Sequence, residues 1–413
     1  MQTSPPVSSP SPSYGTFRSL RHAGFRLLIA AQLSTSFASW MEQVARGWLV
    51  YEMTGSATAL GLVQACRAAP LLIFGLWAGV AADRYDRKRQ LLLAQNANAV
   101  LNVILAALII TGRVQPWHVF ATAFMAGSVM AFQSPARQSI IPDVVGRDDL
   151  MNAIALNSGV VNGSRTIGPA IAGLIIAVVG VGGSYIVQAL LFVLASWWTA
   201  KMTVSRLQPV AAGETAWQSL LDGFRYIRGR PVVVMLLLIA IIPILLAQPY
   251  QSLMPVFARD IYEIGPLGQG ILLSASGVGA VLGALANATW GDTGWKGLHM
   301  LIGLVLFGVG LIAFALSPWL ALALIALGFV GGANTSYRAV TQALLQTHTD
   351  DAYRGRVMSI YLLDRGFAPL GSVVAGLLTD AMGARSAVVA LGGMTVLVAG
   401  AALASMPRLW RLN

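Results

Sequence analysis

Eight ionisable side chains interrupt stretches of this sequence that are otherwise apolar: Glu42, Arg46, Arg67, Arg137, Arg165, Arg338, Asp364 and Arg365. An arginine at the centre of a membrane helix costs about 2.5–3.5 kcal/mol, so each must face water, an acid or a bound molecule. A carboxylate in that setting can take up and release protons, which makes Glu42 and Asp364 the proton-coupling candidates. An arginine can grip an anionic group through two parallel hydrogen bonds. Arg67 and Arg165 fall nearest the middle of their apolar stretches and are the cavity candidates, whereas Arg137 and Arg338 come late in theirs and are candidates for a gate. Glu42 and Arg46 are spaced i, i+4, the geometry of an intrahelical ion pair. Either Glu42 is tied to Arg46 and structural, or it faces a cavity and carries a proton. Neutral groups able to hydrogen-bond a substrate are Gln64, Asn157, Asn162, Gln248 and Tyr250, although such side chains more commonly join helices to one another.

Other chemistries find no footing. There is no G-x-x-x-x-G-K-[ST] phosphate loop and no G-x-S-x-G elbow. The histidines, His22, His118, His299 and His348, are dispersed and lack metal-ligand spacing. The sequence therefore points to a non-enzyme with no cofactor or metal. The single cysteine, Cys66, excludes an intrachain disulfide framework. A net charge of +11 would fit nucleic acid if the basic residues formed a patch. They sit instead in short turns between apolar runs, so no nucleic-acid partner is expected.

The elements that position these residues follow from composition. With 56% hydrophobic and 10% charged residues and a mean hydropathy of +0.69, the chain is far more apolar than a soluble domain. Apolar runs long enough to cross a bilayer fall at 25–50, 58–82, 90–111, 117–141, 151–179, 183–202, 232–257, 268–290, 298–316, 319–345, 357–380 and 385–406. Twelve spans place both ends on one side. Eighteen lysines and arginines then lie on that side, and only Arg113, Arg259 and Arg385 on the other. The positive-inside rule makes the crowded side the cytoplasm. Residues 1–23, rich in Ser and Pro, read as a disordered cytoplasmic N-terminus without the pattern of a cleaved signal. Residues 24–202 form a first group of six spans and 232–406 a second. The linker, 203–231, carries Trp217, Leu220, Leu221, Phe224 and Ile227 at helical spacing and predicts a short interfacial helix. Residues 407–413 form a cytoplasmic tail.

The halves echo each other: RTIGP (165–169) matches RGFAP (365–369), and GRDDLMNAIAL (146–156) is similar to RGRVMSIYLL (354–363). Between the second and third spans stands GVAADRYDRKR, with Gly79, Asp83, Arg84, Arg87 and Lys88 in the pattern G-x-x-x-D-R-x-x-R-K. This closely resembles the loop between helices 2 and 3 of major facilitator superfamily transporters. GPAIAG, with Gly168, Pro169 and Gly173, looks like the helix 5 motif of exporters in that superfamily, with Ala172 in place of one glycine. The run WLVYEMTGSATALGLV and the segment IIPDVVGRDDLMNAIALNSG resemble the bacterial branch that contains enterobactin exporters and macrolide efflux proteins. The resemblance spans the chain. It implies an all-α membrane protein with the major facilitator fold: twelve transmembrane helices in two pseudo-symmetric six-helix bundles with the substrate between them. It further implies a monomer in the bacterial plasma membrane that exports a drug, macrolide or siderophore-like molecule by alternating access, with proton antiport supplying the energy. The motif around Asp83 would act as a conformational latch that ties helices 2, 3 and 11 together in the outward-open state. Two other readings stand beside export: uptake of an anionic metabolite clamped by Arg67 and Arg165, and flipping of a lipid or lysolipid.

Overall fold

The computed structural model describes residues 15, 17–146, 148–204, 216–290, 294–405, 410 and 412, with all their side chains except those of Leu76, Ala82, Asp83, 216–220, Trp290, Asp364 and Arg365. The expectations for residues 1–14 and for the Asp83 and Asp364 side chains therefore lie outside the described residues. After a 3-10 turn (Arg18–Arg21) come α1 (Ala23–Thr54), α2 (Ala57–Arg84), α3 (Arg87–Ile110), α4 (Pro116–Val145) and α5 (Leu150–Lys201). Then follow α6 (Ala216–Arg228) and α7 (Pro231–Ile242), which continues through irregular helix and the short α8 (Met254–Val256) to Ile261. The remainder is α9 (Gly265–Trp290), α10 (Lys296–Leu316), α11 (Leu320–Thr347), α12 (Arg354–Leu362), α13 (Ala368–Met382) and α14 (Ala384–Ser405).

Short turns start and stop these helices through local chemistry. Ser56 caps α2 by accepting from the Ala59 amide, and Asp86 caps α3 by accepting from the Arg89 amide at 2.9 Å. Gly55 closes α1 in the left-handed conformation, φ 61°. The break the sequence predicts between 179 and 183 falls at Gly180, whose non-helical backbone (φ 73°, ψ 174°) divides α5 into two helices. Asp149 before the first and Ala200 at the end of the second both lie at the basic end, against Arg18 and Lys88, so the chain reverses between them. The break is a single residue that only glycine tolerates. The seventh span differs from expectation. Pro243, Pro249 and Pro255 each remove a backbone donor, and the chain answers with π turns at Pro243–Ala247 and Phe257–Ile261 around a 3-10 stretch, Gln248–Leu253. A 3-10 stretch, Leu363–Phe367, likewise precedes Pro369 between α12 and α13.

Among the described residues nine helical stretches are long and apolar enough to cross a membrane. The bend in α5, the more polar α1 and the broken α12–α13 account for the other three spans. Leu93, Val178, Ile325 and Leu397 on the outer face are 71–74% exposed, a surface suited to lipid. The predicted linker helix is α6. Its Ile227 is buried and Gly223 lies against Arg356 and Ile360 of α12, while Leu221 and Phe224 stay exposed.

In the first bundle α1 and α3 pack on α5, and α2 on α4. In the second, α10 packs on α11 and α14, and α9 on α11. Two seams join the bundles, α2 with α13 and α5 with α9. The seams are tight in the half of the molecule away from the basic turns. A Cβ on Gly376 would collide with the Ala57 backbone, and one on Gly270 with the Pro169 carbonyl oxygen. Cross-bundle hydrogen bonds cluster in the same half. Asp380 of α13 accepts from Ser56 Oγ (2.7 Å), the Ala57 amide (2.7 Å) and the Thr58 amide (2.9 Å), placing a carboxylate on the N-terminus of α2. Tyr51 donates to Asp260, and Arg259 donates to the Tyr51 carbonyl at 3.2 Å. None of these cross-bundle hydrogen bonds lies at the basic end, where a cavity reaches Gln138 and Ile154, and the bundles part there.

Gly270→Val should leave the bundles folded but oppose closure of the α5–α9 seam. Overpacking of this kind costs about 1–3 kcal/mol, which shifts the closed fraction by about 5- to 150-fold. Monodisperse protein with impaired transport is the expected result; transport at the wild-type rate would show that the seam tolerates a side chain.

Candidate functional site

A cavity of about 650 Å³ penetrates the first bundle between α1, α4 and α5. Glu42, Arg67, Gln133, Arg137, Asn157 and Asn162 are among its lining residues. A second space of about 540 Å³ shares Arg67, Met130 and Ser134 with it and crosses to the other bundle at Gln248, Pro369 and Ser372; Gln64 also lines it. A small polar crevice between the bundles is bounded by Trp40, Arg165 and Tyr250. Arg67 therefore stands where the two larger spaces meet. The structure brings together most of the sequence-predicted cavity residues on facing helices, but Arg165 and Tyr250 belong to the crevice rather than to the main cavity. Tyr250 is buried.

Glu42 and Arg46 are each 4% exposed. The Arg46 guanidinium lies 2.5 Å from one Glu42 oxygen, and Arg67 lies 3.6 Å from the other. One helical turn of α1 sets the first contact; the approach of α2 sets the second. The result is one buried carboxylate held between two arginines. Tyr185 of α5, fully buried, sets its hydroxyl beside the Arg46 guanidinium in the same cluster.

Arg137, read from sequence as a gate residue, lines the main cavity. Its Nη1 donates to Gln32 Oε1 (2.7 Å) and Thr35 Oγ1 (3.0 Å), both on α1. Its late position in α4 still reaches the cavity because the cavity is open towards that end. Arg338 of α11, the other gate candidate, is half-buried and lies outside the lining of these cavities.

The basic turn after α2 is anchored within the first bundle. Arg87 pairs with Asp143 of α4 at 2.6 Å and donates to the Ser139 carbonyl at 3.0 Å. Lys88 donates to the Ala200 and Met202 carbonyls at 2.8 Å, at the end of α5. Arg84 is exposed and Gly79 is clear of neighbours. Asp143 was not singled out from the sequence, although an acid just after Pro142 at the end of a span was the available signal. In the helix 5 motif, a Cβ on Gly168 would press on Trp40, and Gly173 abuts the Pro266–Leu267 backbone of the second bundle. Pro169 and Ala170 lie at the seam, where the Ala170 amide bonds Ser274 Oγ at 3.0 Å.

Sequence reasoning also missed a clasp at the basic end. Asp149, 1% exposed, lies 2.9 Å from Arg18, 2.8 Å from Arg21 and 2.7 Å from the His22 ring. Ser19 adds bonds to the Asp149 carbonyl and to Asn152. No group of residues suited to a metal occurs among the described residues.

A family model described as "Transmembrane secretion effector" matches residues 14–412. The chain belongs to that family, a branch of the major facilitator superfamily. Among its relatives, the staphyloferrin A transporter of Staphylococcus aureus is 27% identical, over 84% of this chain and 87% of that protein. The multidrug efflux pump Tap of Mycolicibacterium fortuitum is 28% identical, over 94% and 96%. The crystal structure of the nucleoside transporter NupG superposes with a TM-score of 0.75 at 16% identity, covering 93% of this chain and 99% of NupG, which establishes the shared fold. The protein is thus a multi-pass membrane transporter with the major facilitator fold, its twelve helices in two six-helix bundles. Within this family member, the clasp on Asp149 fixes how the chain enters α1.

The hydrogen bond from His22, with the charges of Arg18 and Arg21, holds the Asp149 carboxyl below the usual carboxylate range. A depressed native value means that the clasp is at full strength above about pH 4, the unperturbed carboxylate value, and is lost as pH falls through the native value. Amide protection over Ser19–Arg26, measured by hydrogen exchange, should hold from pH 7 to about pH 4 and collapse in stronger acid. Asp149→Asn should lose it at pH 7; unchanged protection in that variant would remove the clasp from the account.

Proposed function

We propose that this transporter exports a small molecule from the cytoplasm by alternating access, with protons moving inward in exchange. The observation that carries the reading is the asymmetry of the seam: a polar cavity runs from the basic end to Glu42 and Arg67, and packed backbone with Asp380 closes the way beyond. The basic end is the cytoplasmic one by the distribution of lysine and arginine, eighteen against three, which puts both termini inside. The form described here is then inward-open, ready to load cargo. Export is supported by the name of the matching family and by the efflux activity in the name of the Tap relative. The bacterial relatives support a plasma-membrane location. The lining sets amides, hydroxyls and arginines among apolar side chains such as Met130, Ile154 and Phe192, which suits a cargo with both polar and apolar parts. The protein works as a monomer in lipid, each bundle supplying one wall of the path.

In this reading the Asp83 motif closes the cytoplasmic end once the halves rock, and Asp380 holds the outer end shut until then. Proton exchange centres on Glu42. While Arg46 and Arg67 both hold it the carboxylate stays ionised. Exchange requires that cargo and proton exclude each other here, so Glu42 gives up its proton to the cytoplasm before cargo loads and takes up another after cargo has left on the far side.

Inside-out vesicles with an acidified lumen and a pH-sensitive dye test the proposal. Proton release on adding a cargo compound is the expected signal, and Glu42→Gln should abolish it while cargo exchange without a gradient continues. Removing one partner of a buried ion pair costs about 3–5 kcal/mol, so Glu42→Gln with Arg46→Gln serves as the folded control. Cargo-driven proton release that is unchanged in both variants would contradict the role of Glu42.

A further inference from the structure

The charges lining the path are unbalanced. Among the described residues Glu42 is the one carboxylate lining the cavities described above, and it faces two arginines, Arg46 and Arg67. Arg137 adds another positive charge to the same space, and its described partners, Gln32 and Thr35, are neutral. One helical turn before Arg137, Gln133 is 9% exposed and lines the main cavity with its Nε2 lacking any partner. Residues four apart share a helix face, so α4 presents a guanidinium and an unused amide donor side by side. The bonds from Gln32 and Thr35 fix one nitrogen of Arg137. They hold the guanidinium plane and leave Nε and Nη2, which carry no described hydrogen bond, for a planar two-point contact.

We propose that the cargo is an acid: a molecule bearing at least one carboxylate or similarly delocalised anionic group at neutral pH, seated on Arg137 and Gln133 with Arg67 closing on it from α2. The proposal rests on the transport reading of the cavity and adds the charge of what is carried. A cationic or neutral cargo would leave the arginines of a low-dielectric cavity uncompensated as the outer solvent is excluded. An anion supplies the missing charge. The 3.6 Å contact of Arg67 with Glu42 is looser than the 2.5 Å contact of Arg46, so Arg67 is the arginine that can also reach an anion in the cavity.

The single native cysteine allows a direct test. Ser158 is exposed and lines the cavity. In a Cys66→Ser background, Ser158→Cys in inside-out vesicles is titrated with two membrane-impermeant methanethiosulfonates, one carrying a sulfonate and one a trimethylammonium group. Because the same thiolate attacks both, its own ionisation cancels in the ratio of rates, which reports the potential of the cavity. Clefts of one sign reach potentials of several kT, so the anionic reagent should be favoured about tenfold relative to free cysteine. Arg137→Gln should cut that preference several-fold, Arg137→Lys should keep it, and Arg67→Gln should reduce it. A ratio at or below that of free cysteine overturns the anion assignment. Transport of matched acids and bases in the same vesicles is the second arm: acids should be carried, and carriage of the bases alone would also overturn it. Neither adverse result touches the export reading, which fails only if no cargo of either sign moves.

Discussion

The cost of placing a charge in hydrocarbon governs this molecule. With so few charged residues on so apolar a chain, those that remain are either at the ends of helices or on surfaces that water, an acid or cargo can reach. Arg87 is spent on Asp143, Arg18 and Arg21 on Asp149, and Arg46 on Glu42. Arg67, held loosely by Glu42 at 3.6 Å, and Arg137, bonded to the neutral Gln32 and Thr35, both line the main cavity. The same rule that sets topology therefore also locates the site.

A second constraint shapes how the path opens and closes. Membrane helices gain little from apolar contact with one another, so close backbone approach and interhelical hydrogen bonds must hold the bundles together. The closed half of the seam uses both: glycines that admit a facing carbonyl, and the Asp380 carboxylate on the N-terminus of α2. This lock lies at the far end of α2 from the Asp83 motif. Helix α2 thus runs from this lock to the motif proposed to close the other end, and its partner in the second half, α13, packs on it along the seam. Such an arrangement suits a carrier in which closing one end frees the other. The broken helix around Pro243, Pro249 and Pro255 and the 3-10 stretch before Pro369 put deformable backbone along the same path.

Much of this was legible in the sequence. Apolar length, the run of charges from Asp83 to Arg89 and the repeated R-x-x-[GA]-P motif indicated two sets of spans around a central path. The i, i+4 spacing of Glu42 and Arg46 offered their pairing as one of two readings, beside a Glu42 that faces a cavity. What linear spacing could not supply was the third dimension. Arg137 reads as a gate residue by its depth in α4, yet the cavity extends to it because the bundles splay at that end. The partnership of Arg67 with Glu42 depends on how α2 approaches α1, and that of Asp380 with Ser56 joins residues more than 300 positions apart. The break between the fifth and sixth spans was legible, but not that a single glycine, Gly180, in a permissive conformation would make the turn.

The central claim is that the two ends of the seam open in alternation. Spin-label distances measured on one preparation test it most directly, using a Gly55→Cys/Ser386→Cys pair across the closed end and a Tyr85→Cys/Gly355→Cys pair across the open end, each in the Cys66→Ser background. The account predicts a short outer and a long inner distance in the resting protein. It also predicts that Asp380→Asn lengthens the first as it shortens the second, in matching proportions. Distances that change independently, or an outer distance indifferent to Asp380, would contradict it.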